Sequence, residues 1–174
     1  SLGWHYRSRH TSLIDFSNLY FYDNKLTVFA SNDVGSQVIH NFVENSQYRG
    51  GVNLPEVNVV MNALLEQIKS DKEKSIIIAT MNQQQESEVN LALEAELLNN
   101  KMLRDFDSKH QGNLDELTVK KLEDIQGDER DVVIISTVYG PDADGKITQM
   151  FGDINRANGP VSYTHLRAHE TTSD

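Results

Sequence analysis

Cysteine is absent from the 174 residues, and this excludes disulfides, thiolate zinc sites and cysteine nucleophiles together. Only three residues are proline, and no apolar run approaches the roughly 20 residues that a membrane helix needs. We therefore expect a cytoplasmic protein with no membrane partner. With 38% hydrophobic residues, the chain can bury one sizeable core but is too short for two ordinary domains.

Basic residues are also in short supply, because 16 Lys and Arg face 26 Asp and Glu and give a formal net charge of −10. Non-specific binding to nucleic acids depends mainly on Lys and Arg contacts with phosphates. We therefore expect any nucleic-acid contact to be local or shared with another domain. The chain begins at Ser1 without an initiator methionine, which predicts a fragment whose natural start lies upstream.

The first part of the chain predicts a helix and strands, followed by a second helix. Residues 11–22 carry apolar side chains at helical spacing, residues 26–30 are strand-like, and residues 38–43 form a weaker strand. Asn53 and Pro55 are suited to the start of a helix. The apolar stripe of that helix consists of Val57, Val60, Leu64 and Ile68.

The second part predicts a buried parallel sheet. Residues 75–80 and 131–136 are short, β-rich apolar runs, and a helix is expected over 84–98. A polar stretch over 104–113 precedes a further strand at 117–122. Apolar strands that alternate with helices indicate an α/β fold, with a parallel sheet flanked by helices on both faces.

Two short patterns suggest a binding site for phosphates or sugars. Arg7 lies between aromatic residues, and its planar guanidinium suits phosphate oxygens, although an ordinary pairing with a carboxylate explains this motif at least as well. Gln126, Gly127 and Glu129 lie in the polar loop 123–130 between two strands. There a glycine permits close backbone approach and Glu129 can accept from a ribose hydroxyl, but a solvated turn has the same composition.

A third pattern, residues 140–147, matches a phosphate-binding P-loop up to its last position and is rejected. A P-loop needs Ser or Thr after the lysine to bind magnesium, and Ile147 stands there. Asp142 and Asp144 would repel phosphates. The chain is therefore expected to hold no metal of its own.

Residues 4–26, 76–85 and 119–136, taken in this order, resemble the C-terminal RecA-like domain of superfamily 1 helicases. More narrowly, they resemble large bacterial helicases that are often fused to a repair-type endonuclease domain. The resemblance implies a truncated RecA-like domain over residues 1–159. In these helicases ATP lies between two RecA-like domains, and the first holds the P-loop lysine and the magnesium-binding acids. The resemblance therefore implies half of an ATP site.

The resemblance also implies roles for single residues. Arg7 would be catalytic, as the arginine that meets the γ-phosphate, while Gln126, Gly127 and Glu129 would line the edge of the nucleotide. The implied cofactors are ATP and Mg²⁺, with Mg²⁺ held mainly by a missing N-terminal RecA-like domain in cis.

Nucleic-acid contacts are implied as well. Thr80 would touch a phosphate of single-stranded DNA, with RNA as a possible substrate, and Gln85 would lie in the same nucleic-acid-binding segment. The whole protein would be an ATP-dependent helicase, and this fragment alone would be inactive. The alternative is a non-catalytic RecA-like interaction domain. The joint presence of Arg7, Gln126 and Glu129 disfavours that alternative.

The end of the chain departs from the family pattern. Residues 160–174 resemble a translated sequencing adaptor and are predicted to be a non-native tail. Arg167 falls two positions before the place of the family's second arginine, so that role is not assigned to it. His165 and His169 resemble a metal-binding pair, but a catalytic zinc site needs a third ligand, and the tail is interpreted as foreign sequence.

Overall fold

The structure is a computed structural model that describes residues 4–5, 18–19, 27–28 and 38–141. In chain order the strands and helices are β1 (Trp4–His5), β2 (Thr27–Val28), α1 (Leu54–Ser70), β3 (Ile76–Thr80), α2 (Gln83–Asn99), α3 (Lys101–His110), β4 (Thr118–Lys121) and β5 (Val132–Ser136). A short 3-10 helix, Leu122–Ile125, follows β4 directly. No helix in the described part is both long and apolar enough to cross a bilayer.

Three strands form a parallel sheet in the order β4-β3-β5. Ile78 of the central strand lies beside Val119 of β4 and Ile134 of β5. Parallel neighbours need a crossover connection, which α2 and α3 provide between β3 and β4. β1 and β2 pair in parallel as a separate two-stranded sheet. The predicted α/β fold with a parallel sheet is confirmed.

The central strand is buried on both faces. Ile76 and Ile78 belong to the main hydrophobic core, and Ile77 and Ala79 are 1% and 0% exposed. Successive side chains of a strand point to opposite faces of the sheet, so both faces at β3 are covered. This agrees with the continuous apolar run that the sequence shows at this position.

Each of the three helices follows an asparagine whose side-chain oxygen accepts a backbone N–H three residues further on: Asn53, Asn82 and Asn100. The apolar face of α1 packs in the core through Val57, Val60, Met61, Leu64 and Ile68. The predicted cap and stripe of this helix are therefore confirmed. Burial of such a face, not intrinsic propensity, provides most of a helix's stability in a protein.

One prediction from the sequence is wrong, and one stretch to which the sequence assigned no helix or strand is helical. Residues 38–43 were expected to form a weak strand but have neither strand nor helix, and Ile39 and Phe42 are 83% and 79% exposed. The polar stretch 104–113 lies mostly in α3, which buries Leu103 and Phe106 at helical spacing. A few apolar residues on one face are sufficient for a helix that packs on a core. The predicted helix at 11–22 lies largely outside the described residues.

Candidate functional site

The carboxyl ends of the parallel strands mark the edge of such a sheet where ligands usually bind. β3 ends at Thr80 and β5 ends at Ser136, and the two residues lie side by side in the register. Both are fully buried. We call this end of the three-stranded sheet the carboxyl edge and the opposite end the amino edge.

A buried glutamine connects the segments that meet at the carboxyl edge. The side-chain oxygen of Gln85 accepts from the backbone N–H of Asn53 at 2.9 Å. Its amide nitrogen donates to the carbonyl of Asn53 at 3.2 Å and to the hydroxyl of Ser136 at 3.1 Å. Gln85 is 0% exposed. Its amide therefore joins the start of α2 to the start of α1 and to the end of β5.

The side chain of Asn53 extends this connection. Its amide nitrogen donates to the hydroxyl of Ser46 at 2.7 Å and to the carbonyl of Val138 at 3.0 Å. Its oxygen accepts from the backbone N–H of Glu56 at 3.4 Å. Asn53 is 1% exposed, so these hydrogen bonds form away from water. We call Asn53, Gln85 and Ser136 the amide cluster.

The segment that follows β5 has a strained backbone. Val138 has a φ of 71° and is fully buried. A β-branched residue is a rare outlier in this region, because its side chain crowds the backbone there. Gly140 fits closely as well, since a Cβ at this position would lie 2.0 Å from the hydroxyl oxygen of Ser46. The surrounding contacts, among them the hydrogen bond from Asn53, hold the strained conformation.

Thr80 and Gln85, the residues expected to contact nucleic acid, both lie at the carboxyl edge. Thr80 is 0% exposed and its hydroxyl donates to the carbonyl of Asn82 at 3.1 Å. Gln85 uses its amide within the amide cluster. Neither side chain presents a free polar atom at the surface in this arrangement. Their contact with nucleic acid stays a prediction, and their visible role is to hold the edge in place.

The amino edge is held by Ser75 and Asp131. One oxygen of the Asp131 carboxylate accepts from the backbone N–H of Ser75 at 2.8 Å and from its hydroxyl at 2.7 Å. The backbone N–H of Asp131 donates to the Ser75 hydroxyl oxygen at 3.0 Å. Because Ser75 precedes β3 and Asp131 precedes β5, these bonds fix the register of the two strands where they begin.

Between β4 and β5 the chain returns from the carboxyl edge to the amino edge through the polar loop. Lys121 contacts Asp124 at 3.2 Å, and this hydrogen bond is the main cause that raises the pKa of Lys121. Lys120 pairs with Asp128 at 2.7 Å. Gly127 has a φ of 92°, which favours glycine. The loop is therefore shaped by ion pairs at the carboxyl end of β4 and by one glycine.

This loop forms one wall of an open cleft of about 520 Å³ at the amino edge. The cleft is lined by Ser75, Leu114, Asp115, Gly127, Asp128, Glu129, Arg130 and Asp131. Four of these side chains are carboxylates, so the lining repels a triphosphate and favours groups that donate hydrogen bonds. Arg130 is 8% exposed, and its Nε has no hydrogen-bond partner in the described part of the chain.

The polar loop contains the three residues that are predicted to line the edge of the nucleotide. Gly127 and Glu129 line the cleft, and a Cβ added at Gly127 would meet no other residue's atoms within 4 Å beyond its chain neighbours. Gln126 is exposed on the same loop. The polar cleft fits the hydroxyls of a sugar better than the phosphates. Arg7 lies outside the described residues, so its position relative to Gln126 stays a prediction.

The described residues contain no group of three or more His, Cys, Asp or Glu side chains that could hold a metal ion.

Sequence reasoning missed the amide cluster, since it interpreted Asn53 only as a helix cap and assigned no role to Ser136. The one available signal was an asparagine directly before a helix, which is common at helix starts. No local pattern reveals a hydrogen bond between residues so distant in sequence.

Comparison with known proteins identifies the family. A family model described as an AAA domain matches residues 37–169. The chain is 31% identical to an uncharacterized ATP-dependent helicase of Mycoplasma genitalium and 32% identical to its homolog in Mycoplasma pneumoniae, in each case over 95% of this chain and 15% of the relative. It thus spans about 15% of the length of these curated relatives. The chain belongs to the AAA domain family, as a helicase-type RecA-like domain.

Proposed function

We propose that this chain is the second motor domain of an ATP-dependent superfamily 1 DNA helicase or translocase of the cytoplasm. The observation that supports this best is the family match over a parallel α/β sheet whose β4–β5 loop carries Gln126, Gly127 and Glu129. A missing N-terminal RecA-like domain in cis would complete the ATP site. Fusion to an endonuclease domain and the foreign origin of residues 160–174 stay predictions.

In this proposal the chain supplies one half of the nucleotide site. The bound ATP would supply the phosphoanhydride bond that is cleaved. Mg²⁺ would supply positive charge that neutralises the phosphates. Glu129 accepts a hydrogen bond from the ribose, Gln126 contacts the polar edge of the nucleotide, and the backbone at Gly127 lets the ligand approach closely. Arg7 stabilises charge on the γ-phosphate as it develops. Because the cleft is acidic, the phosphates would be bound by Arg7 and by the first domain.

The single strand would lie along the carboxyl edge, where Thr80 and Gln85 are located. The formal net charge of −10 makes a continuous basic track on this chain unfavourable, so phosphate contacts would be shared with the first domain. DNA is the expected strand and RNA a possible one. The buried amide cluster would keep this edge rigid while the strand moves past it.

The test is ATP hydrolysis by the full-length protein, measured with and without single-stranded DNA. We expect hydrolysis that the strand stimulates. Arg7→Lys keeps the charge but loses the planar fork, and we expect a fall in kcat of about tenfold or more with a smaller change in KM. Glu129→Ala should raise KM. Glu94→Ala, on the exposed side of α2, is the control and should change neither.

The present chain alone should show no hydrolysis, because the P-loop belongs to the missing domain. A folded full-length protein that binds no ATP and hydrolyses none would contradict the proposal. That result would favour the non-catalytic RecA-like interaction domain, since folds persist when their chemistry is lost. Unchanged kinetics of Arg7→Lys would remove Arg7 from the site and leave the motor function standing.

A further inference from the structure

Two tyrosines meet at the carboxyl edge. The rings of Tyr48 and Tyr139 have centroids 5.1 Å apart and planes tilted by 36°. Tyr48 lies in the segment before α1, and Tyr139 lies in the segment after β5. Both side chains are partly buried, so each is held by the protein and still reaches its surface. None of the site residues discussed for the nucleotide is part of this pair.

The backbone around the pair is fixed at several points. The N–H of Tyr48 donates to the carbonyl of Pro141 at 3.0 Å, which joins the two tyrosine segments directly. Val138, the strained residue, immediately precedes Tyr139 and receives the hydrogen bond from Asn53. Strained backbone persists where the surrounding structure over-determines it, and it is concentrated at functional sites. The amide cluster therefore holds the backbone directly before Tyr139.

Arg49, the residue after Tyr48, carries a positive charge in the same segment of the chain. Arg49 is exposed and forms a two-residue turn with Val52, through N–H to carbonyl bonds of 2.8 and 3.0 Å. Gly50 and Gly51 have φ values of 59° and 88°, which such a tight turn requires. The backbone of Arg49 is therefore held in a short, defined turn.

We propose that Tyr48 and Tyr139 form a stacking site for a base of the single strand, with Arg49 contacting the neighbouring phosphate. Every base has a π-face, so aromatic stacking binds single strands with little sequence preference. A single arginine next to Tyr48 in the sequence also suits a chain whose formal net charge of −10 disfavours a broad basic surface. The inference rests on the proposed function, because it assigns a contact to the strand at that same edge.

The experiment pairs changes in the protein with changes in the strand. Affinities of the full-length protein are measured for an oligothymidylate and for an abasic strand of equal length. In Tyr48→Leu and Tyr139→Leu the side chain stays apolar but loses its π-face, whereas Tyr48→Phe and Tyr139→Phe keep the ring. We expect each Leu variant to bind oligothymidylate about fivefold or more weaker, on the scale of one lost stack. The Phe variants should bind like the wild type.

The abasic strand distinguishes stacking from a general loss of structure. Since it offers no base, its affinity should be the same for the wild type and the Leu variants. An equal loss on both strands would overturn the proposal, as would Leu variants that lose nothing. Weaker ATP binding with unchanged strand binding would assign the pair to the adenine and overturn it too.

A measurement on the wild-type protein covers the case in which the Leu variants do not fold. Photocrosslinking to a strand that contains 5-iododeoxyuridine should modify Tyr48 or Tyr139, as identified by mass spectrometry of the peptides. Crosslinks confined to other residues would overturn the inference. A wild-type protein that binds no single strand at all would overturn the proposed strand contact and this inference with it. If folded Leu variants still prefer oligothymidylate to the abasic strand as strongly as the wild type does, the stacking inference is overturned and the proposed strand contact stands.

Discussion

The two edges of the three-stranded sheet are held together by different interactions. At the carboxyl edge, Asn53, Gln85 and Ser136 are 1%, 0% and 0% exposed, and neutral amides connect three segments there. At the amino edge, an open cleft has a lining rich in carboxylates, and the exposed ion pair of Glu73 with Lys109 lies before the start of β3. The amide cluster of the carboxyl edge is dry and neutral, whereas the cleft of the amino edge is wet and charged.

This difference predicts how each edge responds to change. A buried hydrogen bond forms in a low-dielectric interior, and loss of one partner leaves the other without water. An exposed ion pair is weakened by solvent and salt and contributes little. The carboxyl edge should therefore be sensitive to single substitutions and insensitive to salt. The amino edge should show the reverse, except at the shielded pair of Ser75 and Asp131.

The largest effect is expected at Gln85. Gln85→Leu keeps the size of the side chain but removes three hydrogen bonds, which leaves buried groups of Asn53 and Ser136 unpaired. We expect the free energy of unfolding to fall by about 3 kcal/mol, measured by urea denaturation. Gln83→Leu is the matched control on the same helix. Gln83 is exposed, so this change should stay within about 0.5 kcal/mol.

Equal effects of the two glutamine substitutions would contradict the distinction between the edges. Such a result would mean that water molecules hydrogen-bond to the side chains of the amide cluster in solution. A second check is salt, because a loss at Gln85 should be the same in low and high salt.

A smaller effect is expected at Asp131, the shielded pair of the amino edge. Asp131→Ala leaves the backbone N–H and the hydroxyl of Ser75 without their shared acceptor, and Ser75 is 5% exposed. The expected loss is about 2 kcal/mol in the free energy of unfolding. Asp131→Asn retains a carbonyl oxygen as acceptor and should recover about half of it. An Asn variant as unstable as the Ala variant would show that the negative charge, not the acceptor, matters.

The sequence predicted the parts of the fold that local periodicity determines. The apolar run at β3, the cap and stripe of α1 and the strand β5 all lie where they were expected. In each case one short segment contains the full signal, because burial of both strand faces or of one helix face dictates which residues are apolar. The family resemblance, carried by three separated motifs, is confirmed by the AAA domain match.

What the sequence could not predict depends on contacts between distant segments. Gln85 resembles any polar residue in a first helical turn, and only the fold brings it against Asn53 and Ser136. The contact between the rings of Tyr48 and Tyr139 has the same origin. At residues 38–43 the sequence predicted too much, since the β-branched and aromatic residues there indicated a weak strand, while in the structure the segment is not paired in a sheet. The pattern of residues in one segment can predict a helix or a strand. Whether a strand pairs in a sheet depends on the segments that lie beside it in the fold.

An effect of about 1 kcal/mol is expected at Gly127 in the exposed loop. Its φ of 92° is unfavourable for any residue with a Cβ, although space at the site is open. Gly127→Ala should therefore lower the free energy of unfolding through backbone strain alone. Asn tolerates positive φ better than Ala, so Gly127→Asn should cost less. In the full-length protein the Ala variant should also raise KM for ATP. Equal stability of Ala, Asn and wild type would show that the loop relaxes freely.

The smallest effect on stability is expected at Glu73 and Lys109, an exposed ion pair that ties the turn before β3 to the end of α3. The hydrogen bond from Lys109 and its positive charge hold the pKa of the Glu73 carboxyl below its ordinary value. Because the folded pKa is depressed, the stabilising contribution is present above the unfolded pKa and is lost as pH falls through the folded pKa. NMR titration of the carboxyl carbon should show the low pKa, and Lys109→Met should return it toward the ordinary value. High salt should do the same in the wild type, since the pair is open to solvent. If the pKa of Glu73 changes neither with Lys109→Met nor with salt, the ion pair does not form in solution. The charged, salt-dependent character assigned to the amino edge would then lack its clearest example.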